Sequence, residues 1–215
     1  MRNDLLNKRK EMTTEEIIKF LKSEIEPIED ENIGLGYRAS VYLKDGTYLP
    51  AVIFRNPNLI VDQAIKRFKE EKSGKGFIDW GKEKDAYREI VKLFVTKGNK
   101  INDYDIEKVE ESPFAFPIEI LKTIRGETTM AWTGFVARMK DGKVFGFGTS
   151  FLMEFFQLPN GYDASDIEEI INHSYISKTG ELKSHKIPFF QRPDDYDINA
   201  IHRERLFFEC YLEGL

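Results

Sequence analysis

The sequence predicts an α+β protein with a mainly antiparallel sheet: a central three-stranded meander, extra hairpins and four or so helices. Three observations point there. Apolar residues at helical spacing recur in the first hundred residues. Alternating or continuous apolar runs dominate from Phe116 onward. The tripeptide Lys-Asp-Gly occurs twice, at 44–46 and 140–142, each time between strand-like runs, and Asp-Gly is a strong hairpin signal.

Each element has its own local reason. Residues 13–25 open on Thr13-Thr14-Glu15-Glu16, a capping-box pattern. Ile17, Phe20, Leu21 and Ile25 then form a stripe, and Pro27 stops the helix. Residues 37–54 read as a hairpin around the first Lys-Asp-Gly. Asn56-Pro57-Asn58 breaks its second strand. Residues 59–72 and 83–96 carry two further helical stripes, ended by Ser73-Gly74 and Gly98. Residues 99–112 are polar and acidic and read as a loop with a turn of helix near Ile106.

Residues 116–124, 128–139 and 143–156 read as the three strands of the meander. Trp132, Gly134 and Val136 alternate with Thr133, Phe135 and Ala137, so they occupy opposite faces. Apolar residues on both faces imply cover on both sides. Residues 165–172 suggest a fourth helix, with Ser165-Asp166-Ile167-Glu168 as a second capping box. A short hairpin follows around Thr179-Gly180, then a loop between Pro188 and Pro193, then a strand at 205–213. No Ser/Gly/Pro-rich linker divides the chain. The expectation is one domain over 1–215, its weakest seam at 99–112.

Composition excludes several classes. The 215 residues are 41% hydrophobic and 32% charged, with a net charge of −5, which suits a globular chain rather than a disordered one. One cysteine, Cys210, cannot form an internal disulfide. No apolar leader opens the sequence, and the most apolar stretch, 144–158, is too short for a membrane span. The expected location is the cytoplasm, with no membrane contact.

Candidate chemistry is sparse. Residues 51–100 carry twelve bases against seven acids, with Phe68, Phe77 and Trp80 among them. Phosphate backbones attract such a segment. The interleaved acids and the overall acidity make nucleic-acid contact through 66–92 the less favoured partner reading. His173, His185 and His202 match no metal-ligand spacing, so neither metal nor cofactor is expected. Cys210 sits in an apolar segment and reads as a buried, inert thiol.

Glu154 interrupts a run of Phe, Leu and Met, and a carboxylate there needs a partner such as Arg125 or Arg138. A small hydrolase with a pocket on the 116–156 meander would use Glu154, Arg125, Glu127, His185 and His202 as catalytic groups. Trp132, Phe189 and Phe190 are the candidate binding residues. Twelve of the 17 Phe lie between Phe114 and Phe208, and residues 151–215 carry six bases against twelve acids. Exposed aromatics beside an acidic segment favour a protein partner. The leading expectation is therefore a binding protein that engages another macromolecule. An immunity or antitoxin-type inhibitor of a bacterial partner is one concrete version.

Overall fold

Both Lys-Asp-Gly tripeptides form the expected turns in the computed structural model, which describes residues 11–30, 34–73, 98–129, 132–150, 155–185 and 193–215. In each turn the aspartate accepts a hydrogen bond from the backbone N–H two residues on. Thr47 donates to Asp45 at 2.9 Å, and Lys143 donates to Asp141 at 3.0 Å. The glycine then takes the left-handed region, with φ 86° at Gly46 and 84° at Gly142, where a Cβ is disfavoured. The first turn joins β2 (Gly34–Leu43) to β3 (Tyr48–Arg55). The second joins β5 (Thr133–Met139) to β6 (Val144–Thr149).

These two hairpins seed two sheets. In the first, β1 (Ile28–Asp30) and β4 (Ile106–Glu111) share one edge of β2, and β11 (Phe208–Tyr211) lies outside β3. Helix α1 (Thr14–Glu24) carries the expected capping box: the Thr13 hydroxyl accepts from Glu16 N–H, and the Glu16 carboxylate accepts from Thr13 N–H. Its Ile17 and Leu21 pack on Tyr37, Ala39, Val41, Val52, Phe54, Ile106, Val109 and Cys210. The other face of this sheet buries Arg38, Ser40, Ile53, Arg55 and Glu209.

The second sheet runs β10 (Ile201–Arg203), β6, β5, β7 (Ile167–Asn172). One face carries a phenylalanine core, with Phe116, Phe135, Phe147 and Phe156 at ring separations of 5.1 to 6.0 Å. A separate hairpin of β8 (Ser174–Ile176) and β9 (Leu182–Ser184) lies by the other face. Ala51 and Ile53 of β3 meet Phe155, with Phe114 and Phe207 alongside. That cluster ties the two sheets together.

The fold is a mixed α+β arrangement, and it departs from the expected meander in several places. Eleven strands and three α-helices are present among the described residues: α1, α2 (Asn58–Lys72) and α3 (Ile118–Leu121). The expected helix at 83–96 lies outside the described residues. Residues 116–124 do not form a strand. Pro117, with φ −53°, starts the single turn α3, because proline is pre-set for a helix start and cannot donate to a ladder.

Residues 165–172 are not a helix either. Asp163 and Asp166 form the capping box, around a 3₁₀ turn at Ala164–Asp166. The isoleucines beyond it then pair in β7, with Ala137 opposite Ile170 and Val136 opposite Ile171. β-Branched side chains suit that pleated surface. The expected loop at 99–112 contributes strand β4, preceded by a 3₁₀ turn at Asp103–Asp105. Nor is the sheet system purely antiparallel. β11 runs parallel to β3, and β10 runs parallel to β6. No helix among the described residues is long and apolar enough to cross a membrane.

Candidate functional site

The face of the second sheet opposite the phenylalanine core is floored by glycine. Alternation along β5 and β6 places Phe135 and Phe147 on one side, and the register pairs Gly134 with Gly148 and Val136 with Gly146 on the other. Without side chains there, rings can lie directly on the backbone. A Cβ at Gly148 would fall 2.0 Å from Cζ2 of Trp132. A Cβ at Gly134 would fall 3.4 Å from Thr128 Oγ1, 3.5 Å from Trp132 Nε1 and 3.6 Å from His185 Nε2.

Three polar atoms thus surround one point on the floor. Thr128 Oγ1 is satisfied: it donates to the Trp132 carbonyl at 3.0 Å and accepts from Gly134 N–H at 3.1 Å. Trp132 Nε1 and His185 Nε2 are buried and have no hydrogen-bond partner among the described residues. Trp132 as a whole is 8% exposed. Buried donors and acceptors without partners are uncommon.

The region around His185 is aromatic. Tyr175 and Tyr196 stand 4.8 and 5.7 Å from the His185 ring. Tyr175 donates to Asp195 Oδ1 at 2.8 Å, and Lys183 donates to Asp195 Oδ2 at 2.7 Å. Lys183, then Tyr175, hold the Asp195 carboxyl below its ordinary range. Burial, then Asp195, push the Tyr175 hydroxyl up. Burial, with a smaller push from His173, moves His185 below the ordinary histidine value, which favours the neutral ring at pH 7.

At the β10 edge of this sheet lies a cleft of about 500 Å³ lined by Gln157, Leu158, Pro159, Asn160, Ile201, His202, Arg203 and Arg205. The Arg203 guanidinium stacks over the Trp132 ring at 5.2 Å. Arg205 stacks over Phe114 at 4.6 Å and donates to the Gln157 side-chain carbonyl. Cation–π contacts of this kind hold a guanidinium without neutralising it. Neither arginine is paired with a carboxylate among the described residues. The His202 ring packs 5.2 Å from Phe147, and burial moves its pKa down.

Of the sequence candidates, Trp132 and His185 are brought together, and His202 lies at the cleft. Arg125 and Glu127 are exposed. The Arg125 backbone is engaged instead, with its carbonyl 2.8 Å from His173 Nε2 and its N–H donating to Asn172 at 2.7 Å. Arg138 forms an ion pair with Glu169 across β5 and β7 at 3.5 Å. Glu154, Phe189 and Phe190 lie outside the described residues. So does most of the basic 66–92 segment; Lys66 and Lys69 are exposed on α2. Cys210 is buried, and burial followed by Asp103 pushes its thiol up to about 12. No cluster of three or more potential metal ligands occurs among the described residues.

Sequence reasoning missed Arg203, Arg205, Gln157 and Leu206. The available signal was the spacing Arg203-x-Arg205 in an extended segment, which puts both side chains on one side. The buried charges Arg38, Arg55 and Glu209 were missed as well; they alternate with core residues on β2, β3 and β11. No protein-family model, curated protein or solved structure matches this chain.

Proposed function

We propose that the chain is a binding protein that engages another protein through the segment 203–208. The observation that carries this reading is Leu206, which is 95% exposed directly after two arginines already held in place. A lone exposed leucine means little. Here Phe208, two residues on, is 36% exposed, and Arg203 and Arg205 stand just before Leu206 in the chain. Arginine is among the residues enriched at interface hot spots, and the leucine adds apolar area for a partner to cover. The stacked guanidiniums have already lost part of their rotamer freedom, so less entropy is lost when a partner docks. Their positive charge selects an acidic partner surface.

Covering a leucine side chain stabilises a complex by about 1.5–3 kcal/mol. Leu206→Asp therefore weakens capture of the partner more than tenfold, and leaves the unfolding midpoint of the free protein unchanged because the side chain contacts no core. The test is affinity capture with wild type and variant as paired baits, with stoichiometry quantified. A partner retained equally by both baits, or no stoichiometric partner for wild type, overturns the reading.

A further inference from the structure

The geometry points to the cleft beneath Arg203 and Arg205 as a binding site for a small phosphorylated organic molecule, with the phosphate seated between the two guanidiniums. Arg203 and Arg205 stand two residues apart on extended backbone, roughly 6.6 Å between Cα atoms, and both line the same cleft. Each is positioned by an aromatic ring rather than by an acid. Among the described residues no acid neutralises them, so their charge is pre-oriented, and guanidinium forks match phosphate oxygens bidentately. Within the segment, Glu204 turns to the other side. Its Oε1 accepts from Ser150 N–H at 3.3 Å, and its backbone N–H donates to Gly148.

The volume argues for more than a free ion. About 500 Å³ falls in the range of small-molecule sites, far above what one phosphate fills. The rest of the lining supplies both kinds of contact that an organic remainder needs. Leu158, Pro159 and Ile201 offer apolar walls, and the amides of Gln157 and Asn160 offer hydrogen bonds. This site shares Arg203 and Arg205 with the protein-binding segment but not Leu206, which does not line it.

The experiment titrates the full chain with inorganic phosphate at constant ionic strength and follows the arginine side-chain N–H signals by NMR. Glucose 6-phosphate, glucose and a phosphoserine peptide form parallel arms. Phosphate is expected to saturate in the millimolar range and to shift the signals of Arg203 and Arg205. Glucose 6-phosphate binds more tightly than phosphate or the peptide, and glucose without its phosphate shifts neither arginine signal. Arg203→Gln and Arg205→Gln each weaken phosphate binding about 10- to 100-fold, the loss expected for a charged hydrogen bond. Arg205→Lys keeps the charge, guards against a variant that fails to fold, and gives an intermediate loss. Saturable phosphate binding by a chain that captures no protein partner supports this site while the protein-binding reading fails, which keeps the two results distinguishable. Absence of saturable shifts with phosphate, or equal binding by wild type and the Arg203→Gln/Arg205→Gln double variant, overturns the proposal. Tighter binding of the phosphopeptide than of glucose 6-phosphate overturns the small-molecule assignment.

Discussion

Gly148 decides where the Trp132 ring lies, because any side chain at that position would occupy the space of the indole. Gly146, two residues earlier on the same face, meets its nearest neighbours, the Ala200 carbonyl and Ile176, at 3.5 and 3.6 Å, which is ordinary contact. The pair makes an internal control. Gly148→Ala is expected to destabilise by about 1–3 kcal/mol, the usual cost of overpacking, and to change the Trp132 fluorescence. Gly146→Ala stays within about 0.5 kcal/mol. Urea unfolding measures both, and equal effects would contradict the placement of the ring. Gly148 and, across from it, Gly134 explain why two of the residues singled out from sequence, Trp132 and His185, sit close to the sheet backbone. Their convergence depends on residues that carry no chemistry of their own.

The individual elements differ in how far they could be read in advance, and the difference follows from range. The two Lys-Asp-Gly hairpins and the Thr13 capping box were legible because their hydrogen bonds close within a few residues. β7 was not, since Ser165-Asp166-Ile167-Glu168 satisfies a helix-start pattern while its isoleucines find better packing across from β5. The parallel positions of β10 and β11 were illegible for a stronger reason: nothing local encodes a partner 50 or more residues away. The arginine cleft inherits that difficulty, because β10 positions it.

Element β10 also carries His202, and the residue after β9 is His185. Burial moves both pKa values down, so the unfolded chain takes up these protons at higher pH than the folded one. Stability from this source is complete above about pH 6.5, the ordinary histidine value, and is lost as pH falls through the lower folded values. The free energy of urea unfolding should therefore drop between pH 7 and pH 5. The drop should shrink in His185→Gln/His202→Gln. Asp45, Asp141, Asp163 and Asp195 are also held low, but their contribution is lost only below about pH 4. A slope unchanged by the double variant would assign the effect elsewhere.

At the scale of the whole molecule, two sheets with separate apolar faces are joined through Ala51, Ile53 and Phe155. β11 closes the first sheet, and it brings Cys210 and Leu212 into the α1 core. Deleting residues 208–215 removes those side chains and uncovers the β3 edge. Loss of one buried leucine alone costs about 2–5 kcal/mol, against a total stability of about 5–15 kcal/mol. The truncated chain should lose its cooperative urea transition and bind a hydrophobic dye. A sharp transition near the wild-type midpoint would show that β11 is dispensable.

The parallel pairing of β11 with β3 has a consequence for synthesis. The two strands are separated by roughly 150 residues, which a ribosome adds at about 5–20 residues per second. For on the order of ten seconds, β3 has therefore emerged while its outer neighbour has not been made. Its open edge, with Val52, Ile53 and Phe54 in sequence, stays available for wrong pairing over that interval, the kind of surface a chaperone covers.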